Sequence, residues 1–327
     1  MDKLISAFPQ NITDALEIAS KATINTPKRE IRNVVICGMG GSGIGGRMVS
    51  YWVQDEIPVP IQSFHDYTAP AFINEHTLII ASSYSGNTEE TLICVEQAFE
   101  KGAQIIGVCS GGQLENFCKT NGFDYVVVPG GNPPRTALAF SVVQVLNILN
   151  KVGLVSSKGM KSIANARLLL DAESEKIHSD ARALAEFTKG KVPVFYAAAK
   201  YEAVAIRARQ QFNENAKTLC WHHVVPEMNH NELVGWGGGD DRFCAVFFNT
   251  HDLIPRNQKR VEISKEIISK KAKIHTVDAK GNDFIERSFY IINLVDWASY
   301  YLAEIKQCDP VEIVVIDHLK TELANFK

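Results

Sequence analysis

The chain has 327 residues, 46% apolar and 22% charged, with a formal net charge of −3. That length suits two domains with sizeable cores, and the nearly neutral balance excludes nucleic acid or an anionic membrane as the main partner. No apolar run approaches the ~18 residues of a membrane span, the N-terminus lacks a signal-peptide pattern, and the scattered Cys37, Cys94, Cys109, Cys118, Cys220, Cys244 and Cys308, with no C-x-x-C, read as core residues of a reduced, cytoplasmic protein.

The first predicted element is an amphipathic helix over 13–22, with Ala15, Ile18, Ala19 and Ala22 on one face. Short apolar runs follow at Val34–Cys37, Pro60–Phe64, Leu78–Ser82, Ile105–Cys109 and Tyr125–Val128, separated by helical patterns near 43–53, 89–101 and 113–120. This alternation predicts a mainly parallel sheet covered on both faces, an α/β domain. Pro129-Gly130-Gly131-Asn132-Pro133-Pro134 breaks the pattern, and a long helix follows at about 136–151. Residues 155–190 are helical and more polar, and the connection between domains falls there, giving 1–154 and 155–327. A second series then begins, with strands at Val192–Ala197, Trp221–Val225, Cys244–Phe248 and Ile274–Val277 and helices near 200–217, 256–271 and 284–305. The halves repeat in architecture, not in visible sequence identity. Asp309-Pro310 ends a helix, and 311–325 form the last one.

Two turns carry the functional signal. Gly38-Met39-Gly40-Gly41-Ser42-Gly43-Ile44-Gly45-Gly46 and Ser82-Ser83-Tyr84-Ser85-Gly86-Asn87-Thr88 each sit where a strand passes into a helix. Backbone N–H groups and a helix N-terminus attract an anion there, and two such turns in one domain can close on one phosphate. The bland readings are a tight turn and an N-cap with a capping-box glutamate. A cap explains one hydroxyl and one Glu, but not Ser83, Ser85 and Thr88 around a glycine. Gly38, Gly40 and Gly43 also satisfy the dinucleotide spacing G-x-G-x-x-G, but the fingerprint wants an acidic residue closing the next strand, and His65 precedes Asp66 there.

Gly38–Gly43 and Ser83–Thr88 resemble the sugar isomerase (SIS) domain. Pro134-Arg135, Asn213-Glu214-Asn215-Ala216-Lys217, Pro226-Glu227-Met228-Asn229-His230-Asn231-Glu232 and the terminal Asp309-Pro310, with Ile316 and Leu319-Lys320 following, narrow the likeness. Together they resemble the bifunctional phosphoglucose/phosphomannose isomerases of prokaryotes, over the whole chain and in order. The resemblance implies two tandem flavodoxin-like SIS domains and aldose–ketose isomerisation of glucose 6-phosphate, and of mannose 6-phosphate, to fructose 6-phosphate through a cis-enediol. It also implies no cofactor, no metal, and a homodimer with shared active sites.

The resemblance assigns phosphate holding to Gly40, Gly41, Ser42, Ser83, Ser85 and Thr88. It makes Glu214 the base that moves a proton between C1 and C2; alone, a helical Glu would read as a solvated face. His230 is the candidate for ring opening, since imidazole can give and take a proton near neutral pH; otherwise it is polar loop surface. Arg135 is the candidate for steadying enediolate charge; otherwise it is an ion pair at a helix end. Lys320 matches the family's C-terminal active-site lysine, which implies that the last helix folds back toward the first domain. His222, His223, His230, Glu227 and Glu232 lack the i, i+4 His pair of a metal helix. Trp221 and Trp236, on either side of the His230 loop, suit a subunit interface or fill the second domain's core. The rival functions are a non-catalytic sugar-phosphate sensor and an amino-sugar phosphate isomerase.

Overall fold

The computed structural model describes residues 1–326. The chain divides into two compact units, one of Ser6–Glu173 and Lys280–Tyr290, the other of Met1–Ile5, Ser174–Ala279 and the residues from Ile291 on. The division expected at 154/155 thus stands beside an observed one at 173/174.

In chain order the elements are α1 (Asp2–Ser6), α2 (Phe8–Lys21), β1 (Asn33–Cys37), α3 (Gly40–Trp52), β2 (Ile61–Phe64), β3 (Thr77–Ser82), α4 (Glu89–Glu100), β4 (Gln104–Cys109), α5 (Gly112–Asn121), β5 (Asp124–Val127), α6 (Leu138–Lys151), α7 (Lys158–Ala172) and α8 (Ser174–Thr188). Then come β6 (Val192–Ala198), α9 (Glu202–Glu214), β7 (Trp221–Val225), α10 (Glu232–Gly235), β8 (Phe243–Asn249), α11 (Pro255–Ser269), β9 (Lys273–Asp278), α12 (Phe284–Lys306) and α13 (Val314–Asn325). Every predicted strand and long helix is present, with ends moved by a few residues. The first long helix shows the largest shift. It starts at Phe8, because Pro9 suits a first helical turn, and its buried face is Phe8, Ile12, Ala15 and Ala19, with Ile18 half-buried.

The first unit holds a five-stranded sheet in the order β2-β1-β3-β4-β5, all pairings parallel. Its central strand β3, Thr-Leu-Ile-Ile-Ala-Ser, is buried at every residue, as a strand covered on both faces must be. Val35 lies beside Ile79, and Ile79 beside Ile105. Helix α6 is buried from Leu138 to Leu149 and packs against α2 and α3. Its two buried amides both donate to α2: Gln144 to the Ala15 carbonyl at 2.7 Å and Asn147 to that of Ala19 at 3.2 Å. The second unit holds a parallel four-stranded sheet in the order β7-β6-β8-β9.

The strand order fixes where a site can form. β1 leads through α3 to β2 on one side, and β3 leads through α4 to β4 on the other. The carboxyl ends of β1 and β3 are therefore a topological switch point, where the two following loops part and leave a crevice. Both hydroxyl- and glycine-rich turns lie there.

Candidate active site

The Gly-rich turn after β1 and the Ser-rich turn after β3 are fastened together. The Tyr84 N–H donates to Ser42 Oγ at 3.0 Å. Ser83 Oγ and Thr88 Oγ1 are 2.8 Å apart, the Thr88 N–H points to Ser83 Oγ at 3.4 Å, and the Asn87 N–H donates to Ser85 Oγ at 3.2 Å. Ser42 and Ser83 are buried, Thr88 is half-buried, and Gly40 and Ser85 are exposed. The buried serines brace the turns, while Gly40, Ser85 and Thr88 lie on their outer face.

Glycine is required where these turns touch their neighbours. A Cβ on Gly41 would lie 2.7 Å from the Pro134 carbonyl oxygen, so only glycine lets the 3₁₀ turn Pro134–Thr136 close on this loop. That turn carries Arg135, which is buried. Gly86, at φ +69°, would drive a Cβ to within 1.8 Å of the Gly111 carbonyl oxygen. The cleft beside the Gly-rich turn, lined by Ser42, Ser82, Phe140 and Ser141, holds only about 10 Å³, hardly one water. Helices α3 and α4 begin at these turns with no side-chain cap, so no capping side chain offsets the positive ends of their dipoles. His65 stands behind the loop, its Nδ1 2.6 Å from the Gly38 carbonyl, and burial holds its imidazole below the usual range. It is therefore a neutral donor that fixes Gly38.

The remaining candidates lie in the second unit, on three elements. Glu214 ends α9 and is half-buried. The preceding turns of α9 are anchored by Arg207, which pairs with Asp296 of α12 through Nε at 3.2 Å and Nη2 at 2.9 Å, both residues buried. Just beyond Glu214, the buried Asn215 donates to Ser299 Oγ at 2.9 Å. His230 closes a 3₁₀ turn, Glu227–His230. It is exposed, and among the described residues its ring has no hydrogen-bond or ion-pair partner. Its loop is held by Glu232, whose carboxylate accepts from Tyr196 Oη and, at 3.2 Å, from Trp221 Nε1; Trp236 Nε1 in turn donates to Tyr196 Oη at 2.8 Å. Burial and that carboxylate push the Tyr196 phenol far above its usual range, so it stays a donor. Lys320 lies on α13, every residue of which is exposed.

Packing assigns the residues that flank this loop. Trp236 is buried and Trp221 half-buried in one aromatic and aliphatic cluster with Val194, Met228 and Phe247, so both contribute to the second unit's core, one of the two readings the sequence leaves open. Glu232 is a loop anchor. Its phenol and indole donors lie on β6 and β7, and only the paired sheet brings them to it. Among the described residues, no three His, Cys, Asp or Glu side chains are grouped to hold a metal ion.

Known proteins match this chain from end to end. The model of the SIS domain matches residues 29–126, and that of the bacterial phospho-glucose isomerase C-terminal SIS domain matches 177–323. The bifunctional phosphoglucose/phosphomannose isomerase of Caldicellulosiruptor bescii is 35% identical over 98% of each chain. The chain belongs to the bifunctional phosphoglucose/phosphomannose isomerase family. The family member of Thermoplasma acidophilum is 34% identical over 89% of this chain and 90% of its own. In fold alone, the chain is similar to the C-terminal domain of glucosamine-fructose-6-phosphate aminotransferase from Francisella tularensis, with a TM-score of 0.75, 15% identity, and 95% and 97% of the two chains covered. Two SIS domains are thus the architecture, as the sequence predicts.

The family's Asn-Glu-Asn-Ala-Lys segment also contains a residue that sequence reasoning missed. Lys217 has its ammonium in hydrogen-bond contact with three backbone carbonyls. Its presence in that segment was the only signal.

Proposed function

We propose that this protein is an aldose–ketose isomerase that interconverts glucose 6-phosphate and mannose 6-phosphate with fructose 6-phosphate. The observation that carries the reading is the pair of braced turns at the β1/β3 switch point, within a chain of this family. A phosphate seated on the outer face of the turns takes the Ser85 and Thr88 hydroxyl protons and the N–H groups at Gly40 and Gly41, with Ser42 and Ser83 behind them. Their fixed donors and the two helix dipoles favour a dianion without reorganisation.

His230 opens the sugar ring by passing a proton to the ring oxygen and accepting one from the C1 hydroxyl. Glu214 then removes the proton from C2, or from C1 in the reverse direction, and returns it to the neighbouring carbon. The Arg135 guanidinium and the Lys320 ammonium steady the negative charge of the enediolate between these steps. Epimers at C2 converge on one enediol, so a base that reaches C2 from either configuration serves glucose and mannose 6-phosphates alike. No step calls on a cofactor.

The assembly belongs to the same reading. An exposed His230 with no partner among the described residues supports a homodimer in which that loop completes the other subunit's site. The exposed Val314, Val315, Leu319 and Leu323 of α13 give this helix an apolar surface open to a partner. The buried free cysteines and the lack of any described helix long and apolar enough to cross a membrane support a cytoplasmic location.

The test is a coupled assay of the purified protein on glucose, mannose and glucosamine 6-phosphates. Turnover of the first two is expected. Turnover of glucosamine 6-phosphate alone would move the reading to an amino-sugar isomerase, and binding without turnover of any to a sensor.

A further inference from the structure

The last residue of the Asn-Glu-Asn-Ala-Lys segment has no place in the reaction above, yet its ammonium has the most complete set of partners at this end of α9. Lys217 Nζ donates to the carbonyl of Glu214 at 2.8 Å, of Asp309 at 2.7 Å and of Glu312 at 2.7 Å. An ammonium has three protons, and all three are used. The first carbonyl belongs to the candidate base and is one of the orphan acceptors at a helix C-terminus, where a cation is also favoured by the helix dipole. An ordinary C-terminal cap would end there.

The other two acceptors lie more than 90 positions along the chain, in the segment that joins α12 to α13. The backbone is arranged to allow this. Lys217 sits at φ +47°, a left-handed conformation uncommon for a residue with a side chain and held only where the surroundings dictate it. Lys306, in the last turn of α12, supplies part of that constraint by donating to the Lys217 carbonyl at 3.0 Å and to Thr218 Oγ1 at 2.8 Å. Beyond Glu312 the chain enters α13, which is exposed throughout and carries Lys320. The clamp is thus what ties the root of α13 to the end of the helix that bears Glu214.

We propose that Lys217 is a positioning residue for the isomerisation: its three-carbonyl clamp locks the C-terminus of α9 to the root of α13, so that Glu214 and Lys320 are presented from one fixed framework. The inference rests on the assignment of Glu214 as base. It explains why a lysine closes a segment whose chemistry is done by the glutamate, and why the helix that follows Asp309-Pro310 has a fixed starting point. A base must be held to a fraction of an ångström against the C–H bond it attacks, and misplacement by about 1 Å can cost around 10²-fold in rate. The phosphate turns lie on other elements, so substrate capture does not depend on the clamp.

The test compares Lys217→Met with Lys217→Arg. Methionine matches the stem and removes the ammonium. Arginine keeps the charge, but its planar fork cannot meet three carbonyls converging on one point. Expected results are a fall in kcat of about 10²-fold for Met and about tenfold for Arg, with KM for fructose 6-phosphate within about twofold of wild type. Amide hydrogen exchange in 309–316 is expected to be faster in both. If Met does not fold, Arg carries the test alone. An unchanged kcat in the folded variants, or full recovery by Arg, overturns the clamp. Glu214→Gln is run alongside: if it keeps its turnover, the base assignment has failed, and the clamp is then judged by hydrogen exchange, where unchanged rates in 309–316 overturn it.

Discussion

Ser42 and Tyr84 join the Gly-rich and Ser-rich turns: the Tyr84 N–H donates to Ser42 Oγ at 3.0 Å across the β1/β3 switch point. Neither turn is long enough to be rigid alone. The bond makes them one surface, with Ser42 buried beneath and Ser85 exposed above. Removing the Ser42 hydroxyl leaves the N–H of the half-buried Tyr84 without its acceptor, which costs about 1 kcal/mol. Ser42→Ala is expected to lower the urea midpoint accordingly and to raise KM, since the two halves of the cradle then move independently. A stability loss with unchanged KM would restrict Ser42 to the fold.

The outer hydroxyls have a different role. Ser85 Oγ accepts the Asn87 N–H, which leaves its own proton free to donate, and among the described residues Thr88 Oγ1 meets only Ser83. Charge-assisted bonds to phosphate are worth about 1.5–3 kcal/mol each. Ser85→Ala with Thr88→Ala should raise KM for sugar phosphates by at least about tenfold, with melting temperature little changed. Steady-state kinetics decide it, and an unchanged KM places the phosphate elsewhere.

Glu214→Gln preserves shape and removes the proton acceptor. Turnover should fall by about 10²–10⁴-fold, while a sugar alcohol 6-phosphate that cannot isomerise binds as to wild type. Calorimetry beside the rate assay reads both quantities, and turnover within a few-fold of wild type removes Glu214 as the base.

Arg207 and Asp296 form a buried ion pair between α9 and α12, beside the buried Gln211. Asp296→Ala leaves the guanidinium uncompensated and should destabilise the second unit by about 3–5 kcal/mol. Arg207→Met combined with Asp296→Leu should recover most of that loss, because it removes both charges. Denaturant unfolding of the single and double variants is the measurement, and equal instability of both would mean that the pair specifies packing by more than its charge balance.

If His230 completes the partner's site, mixtures of inactive Glu214→Gln and inactive His230→Ala chains should regain activity, since a heterodimer contains one site with both groups intact. Subunit exchange is followed with differently tagged chains. Exchange without recovered turnover rules out the shared site, whatever the oligomeric state.

The sequence by itself determined the elements and the chemistry on offer. Apolar runs such as Leu78–Ser82, alternating with helical patterns, read as a buried parallel sheet because such strands lack a solvent face. Gly40, Gly41, Ser85 and Thr88 pointed to an anion site because several small and hydroxyl residues at a strand-to-helix turn are more than a cap requires. Relations between distant residues were not legible, since local pattern carries no information about which turns become neighbours. Only the strand order placed the turns after β1 and β3 side by side. Only packing showed that Gly41 must be glycine to admit Pro134, 93 positions later, and that Trp221 and Trp236 belong to a core. Lys217 is the clearest case. In the sequence it is one more charge at the end of a helix. Its meaning lies in the carbonyls of Asp309 and Glu312, which every chain possesses at every residue and which tertiary structure alone can bring to one ammonium.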